Sequence, residues 1–298
     1  MPPGLQPIQS SGTSVLTSEG LTGFKEALGR AQRQYSEVER DRNGAAAQEV
    51  IAVEGYRKWQ NGWLFKRLMK ARFASLSSAA EEATALRKEL DDQLELSKLQ
   101  TQFEMPEGVA HTFSRLVDDF VALSRSQRIW DNTAHRATNK VVERTTASRI
   151  IDLKPVSFSL GRCGVIVTNA PVPKMQNANG GDIFLYPGFI VYMVSEVTYA
   201  LIEYSELNMV MSRTRFHEEA AVPSDAEQVA ITWAKCNKDG TPDRRFNNNY
   251  QIPVMQYALF VLQTTRGLNE EYLVSNVAAS EAFMRSWHAH LIAIREGR

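Results

Sequence analysis

The densest run of side chains able to do chemistry lies between Asn237 and Phe246, where Lys238, Asp239, Asp243, Arg244 and Arg245 sit among turn formers. A guanidinium offers a planar fork of donors that fits a carboxylate or a phosphate, so the run reads as a recognition loop. A structural reading competes with this and is favoured. It places a β-turn at Lys238-Asp239-Gly240-Thr241, with Asp243 and an arginine locked in an internal salt bridge that pins the segment. Calcium is not expected there, because Pro242 and Arg244 stand where a calcium loop needs further oxygens.

The second candidate is basic. Between Arg57 and Arg72 stand Arg57, Lys58, Lys66, Arg67, Lys70 and Arg72 with no acid among them, interleaved with Trp59, Trp63, Phe65, Leu68 and Met69. Such a composition suits a membrane-surface helix or a nucleic-acid backbone. It equally suits helix packing with the basic stems lying along apolar neighbours. The apolar residues recur at helical spacing, which favours packing.

Histidine and cysteine carry little. His288 and His290 are two apart and do not share a helix face. His217-Glu218-Glu219 lacks the second histidine of a zinc-protease helix, and no GxSxG, P-loop or strand-following GxGxxG occurs. Structural or surface roles are expected for all five histidines. Cys163 and Cys236 have no metal-ligand spacing and read as buried thiols of a reducing compartment. No metal, no cofactor and no catalytic residue is expected.

The chain of 298 residues has 43% hydrophobic and 23% charged residues and a formal net charge of zero. A sizeable core is therefore within reach, and no whole-protein field steers the chain to nucleic acid or anionic lipid. The polar start, Met1 to Gly20, lacks the basic and apolar regions of a signal peptide. With no long apolar run, a cytoplasmic location is expected.

Residues 1–18 read as a flexible arm. Phe24, Leu28, Ala31, Tyr35 and Val38 then recur at three or four residues, as in an amphipathic helix. Asn43-Gly44 is expected to interrupt it, with a second helix from Ala45. The clearest helical pattern runs over 78–103, where Ala79, Ala83, Leu86, Leu90 and Leu94 form a stripe of coiled-coil or helical-hairpin type. Pro106 and Gly108 end it. A further helix over 109–126 carries Phe113, Leu116, Val117, Phe120 and Leu123 on one face.

From about 150 to 275 the pattern turns to strands. Strands are expected at 156–160, 164–167, 182–186, 189–194, 200–204, 207–211, 229–233, 254–264 and 271–274, with a tight turn at Pro187-Gly188. Asn276 is a good N-cap for a final helix whose stripe is Val277, Phe283, Met284, Trp287 and Leu291.

Short strands closed by one amphipathic helix resemble a pleckstrin-homology or GRAM-type domain. Gly181–Tyr192 is similar to a hairpin of that fold, Tyr199–Val210 to the following strand pair, and Tyr272–Asn276 to the last strand running into the helix. The segment with Trp233, Asn237–Phe246, Asn249 and Ile252-Pro253 also resembles a little-characterised group of bacterial proteins over roughly residues 127–290. The resemblance implies a fold and no activity. Proteins of this kind often belong to bacterial multi-gene systems, including defence-like ones. Phosphoinositide binding in the superfamily uses a basic cluster in the first hairpin loop. Around Met175–Gly181 only Lys174 is near, which argues against that route.

The fold class expected is therefore α+β: a helical, coiled-coil region at 19–126, then a pleckstrin-homology-like β-barrel at 127–298 closed by a C-terminal helix, with an insertion at about 216–253. The function expected is that of a non-catalytic interaction or scaffold protein. It would self-associate or dock a protein partner through the helical half. A peripheral membrane- or nucleic-acid-binding sensor is the alternative.

Overall fold

The computed structural model describes residues 5–60, 69–97, 105–138, 140–147, 149–164, 166, 168, 170–237 and 239–297. The chain is α+β. It divides into two compact units, one of residues 1–23, 102–164 and 168–298, the other of residues 24–101 and 165–167. Helices are α1 (Thr13–Leu16), α2 (Thr22–Gln60), α3 (Lys70–Ser97), α4 (Glu107–Ser124), α5 (Lys140–Glu143) and α6 (Val277–Glu296). Strands are β1 (Gln6–Pro7), β2 (Ile129–Ala137), β3 (Arg149–Pro155), β4 (Phe158–Gly161), β5 (Val172–Met175), β6 (Asp182–Leu185), β7 (Ile190–Ser195), β8 (Thr198–Ile202), β9 (Asn208–His217), β10 (Glu227–Trp233), β11 (Gln251–Gln263) and β12 (Asn269–Val274).

The smaller unit is a hairpin of α2 and α3. Arg42 meets Asp91 at 2.7 Å, Arg87 pairs with Glu49, and the Tyr56 and Phe73 rings lie 5.3 Å apart, so the helices run antiparallel. The interruption expected at Asn43-Gly44 does not occur, and α2 continues through it. A helical glycine costs about 1 kcal/mol against alanine. Ala45, next to Gly44, is buried, so the packed side of the helix continues past the glycine. The basic residues Lys66 and Arg67 lie outside the described residues.

In the larger unit, β4 to β8 form an antiparallel meander. The other sheet is centred on β11, which pairs along one side with β9 and along the other with β10 and β12 end to end. β12 continues to β2, whose far side carries β3. The described strands make two sheets, and their hydrogen bonds trace no closed barrel.

The main core lies between these layers. Phe158, Ile183, Leu185, Ile190 and Ile202 come from the meander, and Ala258, Phe260, Leu262 and Tyr272 from the other sheet. Helix α4 buries Phe113, Leu116, Val117, Phe120 and Leu123, as its sequence stripe predicts, and α6 buries Phe283, Met284 and Trp287. The two helices pack through Phe120 and Phe283, 5.6 Å between ring centroids. Thus α4 belongs with the sheets, although the sequence groups it with the preceding helices. The Asn276 side chain accepts from Ala279 N at 2.9 Å and caps α6, satisfying a donor the first turn leaves open.

Residues 5–18, composed like a flexible arm, lie along the sheets. Gln6 and Pro7 pair with His135 and Ala134, Ile8 N donates to Thr133 O, and Ser18 N donates to Leu201 O. Ile8 and Leu16 are buried. Two apolar anchors and backbone pairing overcome the entropy that composition alone suggested.

Candidate functional site

The outer face of the β11 sheet carries a second apolar cluster. Met255, Tyr257 and Leu273 are buried there, with Trp130, Ile151, Leu153, Phe216 and Leu259 packed against them. A sheet face of this kind needs cover, and two segments rise over part of it. One is residues 138 and 140–147, held by Thr138 Oγ1 donating to Ala147 O at 2.6 Å and by the Arg136–Glu143 pair at 2.7 Å. The other is residues 234–237 and 239–250 of the 216–253 insertion, whose β10 extends the sheet.

Between them lies a cleft of about 680 Å³. Its floor is Ile151, Leu153, Phe216, Leu259 and Leu273, and its rim includes Arg144, Arg149, Lys235, His217, Glu143 and Glu219. An apolar floor with a few polar groups at the rim is the usual make-up of a ligand pocket of this size.

Arg144 ties the two walls together. Its carbonyl accepts from Cys236 N at 3.1 Å, its guanidinium donates to Asp243, and it lies 5.9 Å over the Phe246 ring. It does so at φ 53°, a left-handed conformation that costs a non-glycine residue about 1–2 kcal/mol. Asp243 is 2% exposed and also accepts from Arg245 Nε and Nη2, both at 2.9 Å. This is the internal pin favoured from sequence, with a second arginine from a distant segment.

The remaining residues of that loop serve it locally. Asp239 Oδ1 accepts from Thr241 N at 3.1 Å and Thr241 Oγ1 at 2.7 Å, and these bonds hold its carboxyl below the usual range. Gly240 takes φ +84° and closes the turn. Arg244 is exposed, and Lys238 lies outside the described residues.

On the opposite wall Arg149 meets Glu271 at 3.2 Å, and Glu271 also accepts from Asn132 Nδ2 at 2.7 Å. Lys235 is exposed, and no carboxylate pairs with it among the described residues. Burial lowers the pKa of His217, whose Nε2 lies 3.2 Å from Thr146 Oγ1. Sequence reading missed Arg144, Arg149 and Lys235, because nothing in their spacing joins residues 144, 149 and 235.

A second polar cluster lies between the sheets. Asp131 and Glu270 are 0% and 1% exposed. Asp131 Oδ2 accepts from Ala178 N at 2.8 Å, and Glu270 Oε1 accepts from Ser10 Oγ at 2.6 Å and Tyr192 Oη at 3.3 Å. Among the described residues Asp131 Oδ1, Glu270 Oε2 and Tyr272 Oη have no hydrogen-bond partner. Burial raises the pKa of both carboxyls, that of Glu270 to about 7, with the Ser10 bond opposing the shift and the Asp131 charge adding to it. Gly180 is required beside them, since a Cβ there would stand 2.4 Å from Tyr192 Oη.

Among the described residues no group of three or more His, Cys, Asp or Glu is placed to hold a metal ion, and no helix is long and apolar enough to cross a membrane. No family model, no curated protein and no solved structure matches this chain.

Proposed function

We propose that the chain is a non-catalytic interaction protein whose helical unit joins copies of itself and whose sheet unit presents the outer-face cleft for recognition. One observation carries the first half. In the α2–α3 hairpin only Leu28, Ala45 and Ala80 are buried apolar residues among those described, while Val50, Ile51, Val53 and Leu86 are 57%, 73%, 39% and 45% exposed. Two helices that bury so little gain too little from packing to hold long segments in water. A second hairpin supplies the missing face, as in a four-helix bundle.

A pleckstrin-homology-like kinship of the sheet unit belongs to the same proposal. Its support is the β6–β7 hairpin, with Tyr186 N donating to Phe189 O across Pro187-Gly188, and the packed closing helix α6. Recognition is supported by the cleft itself. At the cleft the Thr146 hydroxyl and the His217 imidazole stand 3.2 Å apart, and no carboxylate is hydrogen-bonded to the histidine's other ring nitrogen among the described residues.

The test is light scattering at low and high salt on the whole chain and on Ile51→Glu. The expected result is a dimer or larger species that the variant reduces to monomer. A wild-type monomer at both salts overturns self-association. The whole chain is needed, because a fragment from residue 127 would lack α4 and residues 5–18, which pack with the sheets.

The peripheral-sensor reading has its own support. Arg57, Lys58 and Lys70 are exposed, none is in an ion pair among the described residues, and Arg72 lies 5.5 Å over the Trp59 ring. Binding to anionic vesicles or to duplex DNA that weakens steeply with salt, and is abolished in Arg57→Glu, would favour it.

A further inference from the structure

We infer that the outer-face cleft binds an amphipathic organic anion, its apolar body on the sheet and its charged head beside Lys235. This rests on reading the sheet unit as a recognition module and is independent of self-association.

The floor sets the first requirement. Ile151, Leu153, Phe216, Leu259 and Leu273 present aliphatic and aromatic surface from four different strands, and water on such a surface is released by an apolar group. The rim sets the second. Asp243 is one carboxylate shared by Arg144 and Arg245, so a positive charge is left over at that wall. Lys235 adds another, held in place by its backbone, whose N donates to Asn249 Oδ1 and whose O accepts from Asn249 Nδ2. Among the described residues Arg149 engages one nitrogen, on Glu271, and the rest of its donor fork faces the cleft's ligand. Against these stand Glu143, already paired with Arg136, and Glu219. The balance at the rim is cationic, and a small anion without an apolar body would leave the floor wet.

The ligand head is a carboxylate or a phosphate, and competition separates them. The probe is 8-anilinonaphthalene-1-sulfonate, a naphthalene body with one anionic group, followed by fluorescence on the whole chain. Saturable binding is expected, displaced by decanoate or decyl phosphate and not by decanol or inorganic phosphate. The stronger of the two displacers identifies the head. Lys235→Ala should weaken probe binding by about tenfold, the effect of removing one charge-assisted hydrogen bond, and Lys235→Glu should weaken it further by repelling the anion. Circular dichroism and thermal midpoint of both variants should match wild type. Ile51→Glu should bind the probe as wild type does. Unchanged affinity in both folded Lys235 variants, or displacement by decanol as effective as by decanoate, overturns the proposal. Probe binding abolished only in Ile51→Glu also overturns it, by placing the site on the hairpin. Failure of self-association with intact Lys235-dependent binding would leave this inference standing.

Discussion

Ser10 donates a 2.6 Å hydrogen bond to Glu270, joining the start of the chain to a carboxylate that is 1% exposed between two sheets. The folded pKa of Glu270, about 7, lies above its ordinary value of 4.5. The native state therefore holds more protons than the unfolded chain across that window. Stability from this group is greatest at low pH and falls as pH rises from about 4.5 to about 7. Glu270→Gln keeps the acceptor for Ser10 and removes the charge. In urea unfolding at a series of pH values, the variant should gain on wild type through this window and hold a constant advantage above it. Asp131 remains, so some slope persists. A difference independent of pH would show that Glu270 is not buried as described.

His290 works in the opposite sense. Its Nε2 lies 3.0 Å from Pro187 O, which can only accept, so the proton sits on Nε2 and Nδ1 accepts from Thr112 Oγ1 at 3.1 Å. Burial lowers its pKa from 6.5 to about 4. The unfolded chain binds more protons between those values, so this group makes stability rise with pH from about 4 to 6.5. His290→Gln should lack that rise, and NMR titration of the wild-type ring should show no protonation above about pH 5.

Asp243→Ala removes the acceptor shared by Arg144 and Arg245. Both guanidinium groups reach solvent, with side chains 31% and 67% exposed, so the cost is that of the hydrogen bonds removed and not of stranded charges, about 1–3 kcal/mol. The clearer sign is local. Limited proteolysis should cut within 236–250 faster than in wild type, and equal rates would remove Asp243 as the pin.

Trp287 is 1% exposed and packs 5.1 Å from the Tyr204 ring. Trp287→Ala should destabilise by about 3–5 kcal/mol, read from chemical unfolding. A cost under about 1 kcal/mol would mean that α6 is not a core element.

Elements built on apolar periodicity were legible. The stripes of α4 and α6, the Asn276 cap and the strands from β6 onward stand near where the residues place them. β2, β3 and β5 are not among the strands that the residues suggest. β2 reads Ile129-Trp130-Asp131-Asn132-Thr133-Ala134-His135-Arg136-Ala137, and its polar residues Asp131, Asn132 and Thr133 are buried. Asp131 belongs to the acidic cluster, Asn132 donates to Glu271 and Thr133 donates to Asp152, so the strand lacks the apolar alternation that marks one. Local rules fail where polar groups are gathered for another purpose. The cleft was illegible for a related reason. Its cations come from residues 144, 149 and 235, which only strand pairing brings together, while the conspicuous run at 237–246 spends Asp239, Asp243 and Arg245 on its own shape.

The docking of residues 5–18 has a consequence for how the chain is made. Ser10 and Glu270 are separated by 260 positions, and the strands that flank this bond, β2 and β12, leave a ribosome long after residues 5–18 do. The hairpin of residues 24–101 is complete long before the sheets that its flanking segments belong to. During synthesis it can form, and meet another nascent copy, while the first residues still wait for their place. Under the self-association proposed above, assembly precedes completion of the sheet unit, and a change within residues 5–18 acts late, at the step that closes that unit.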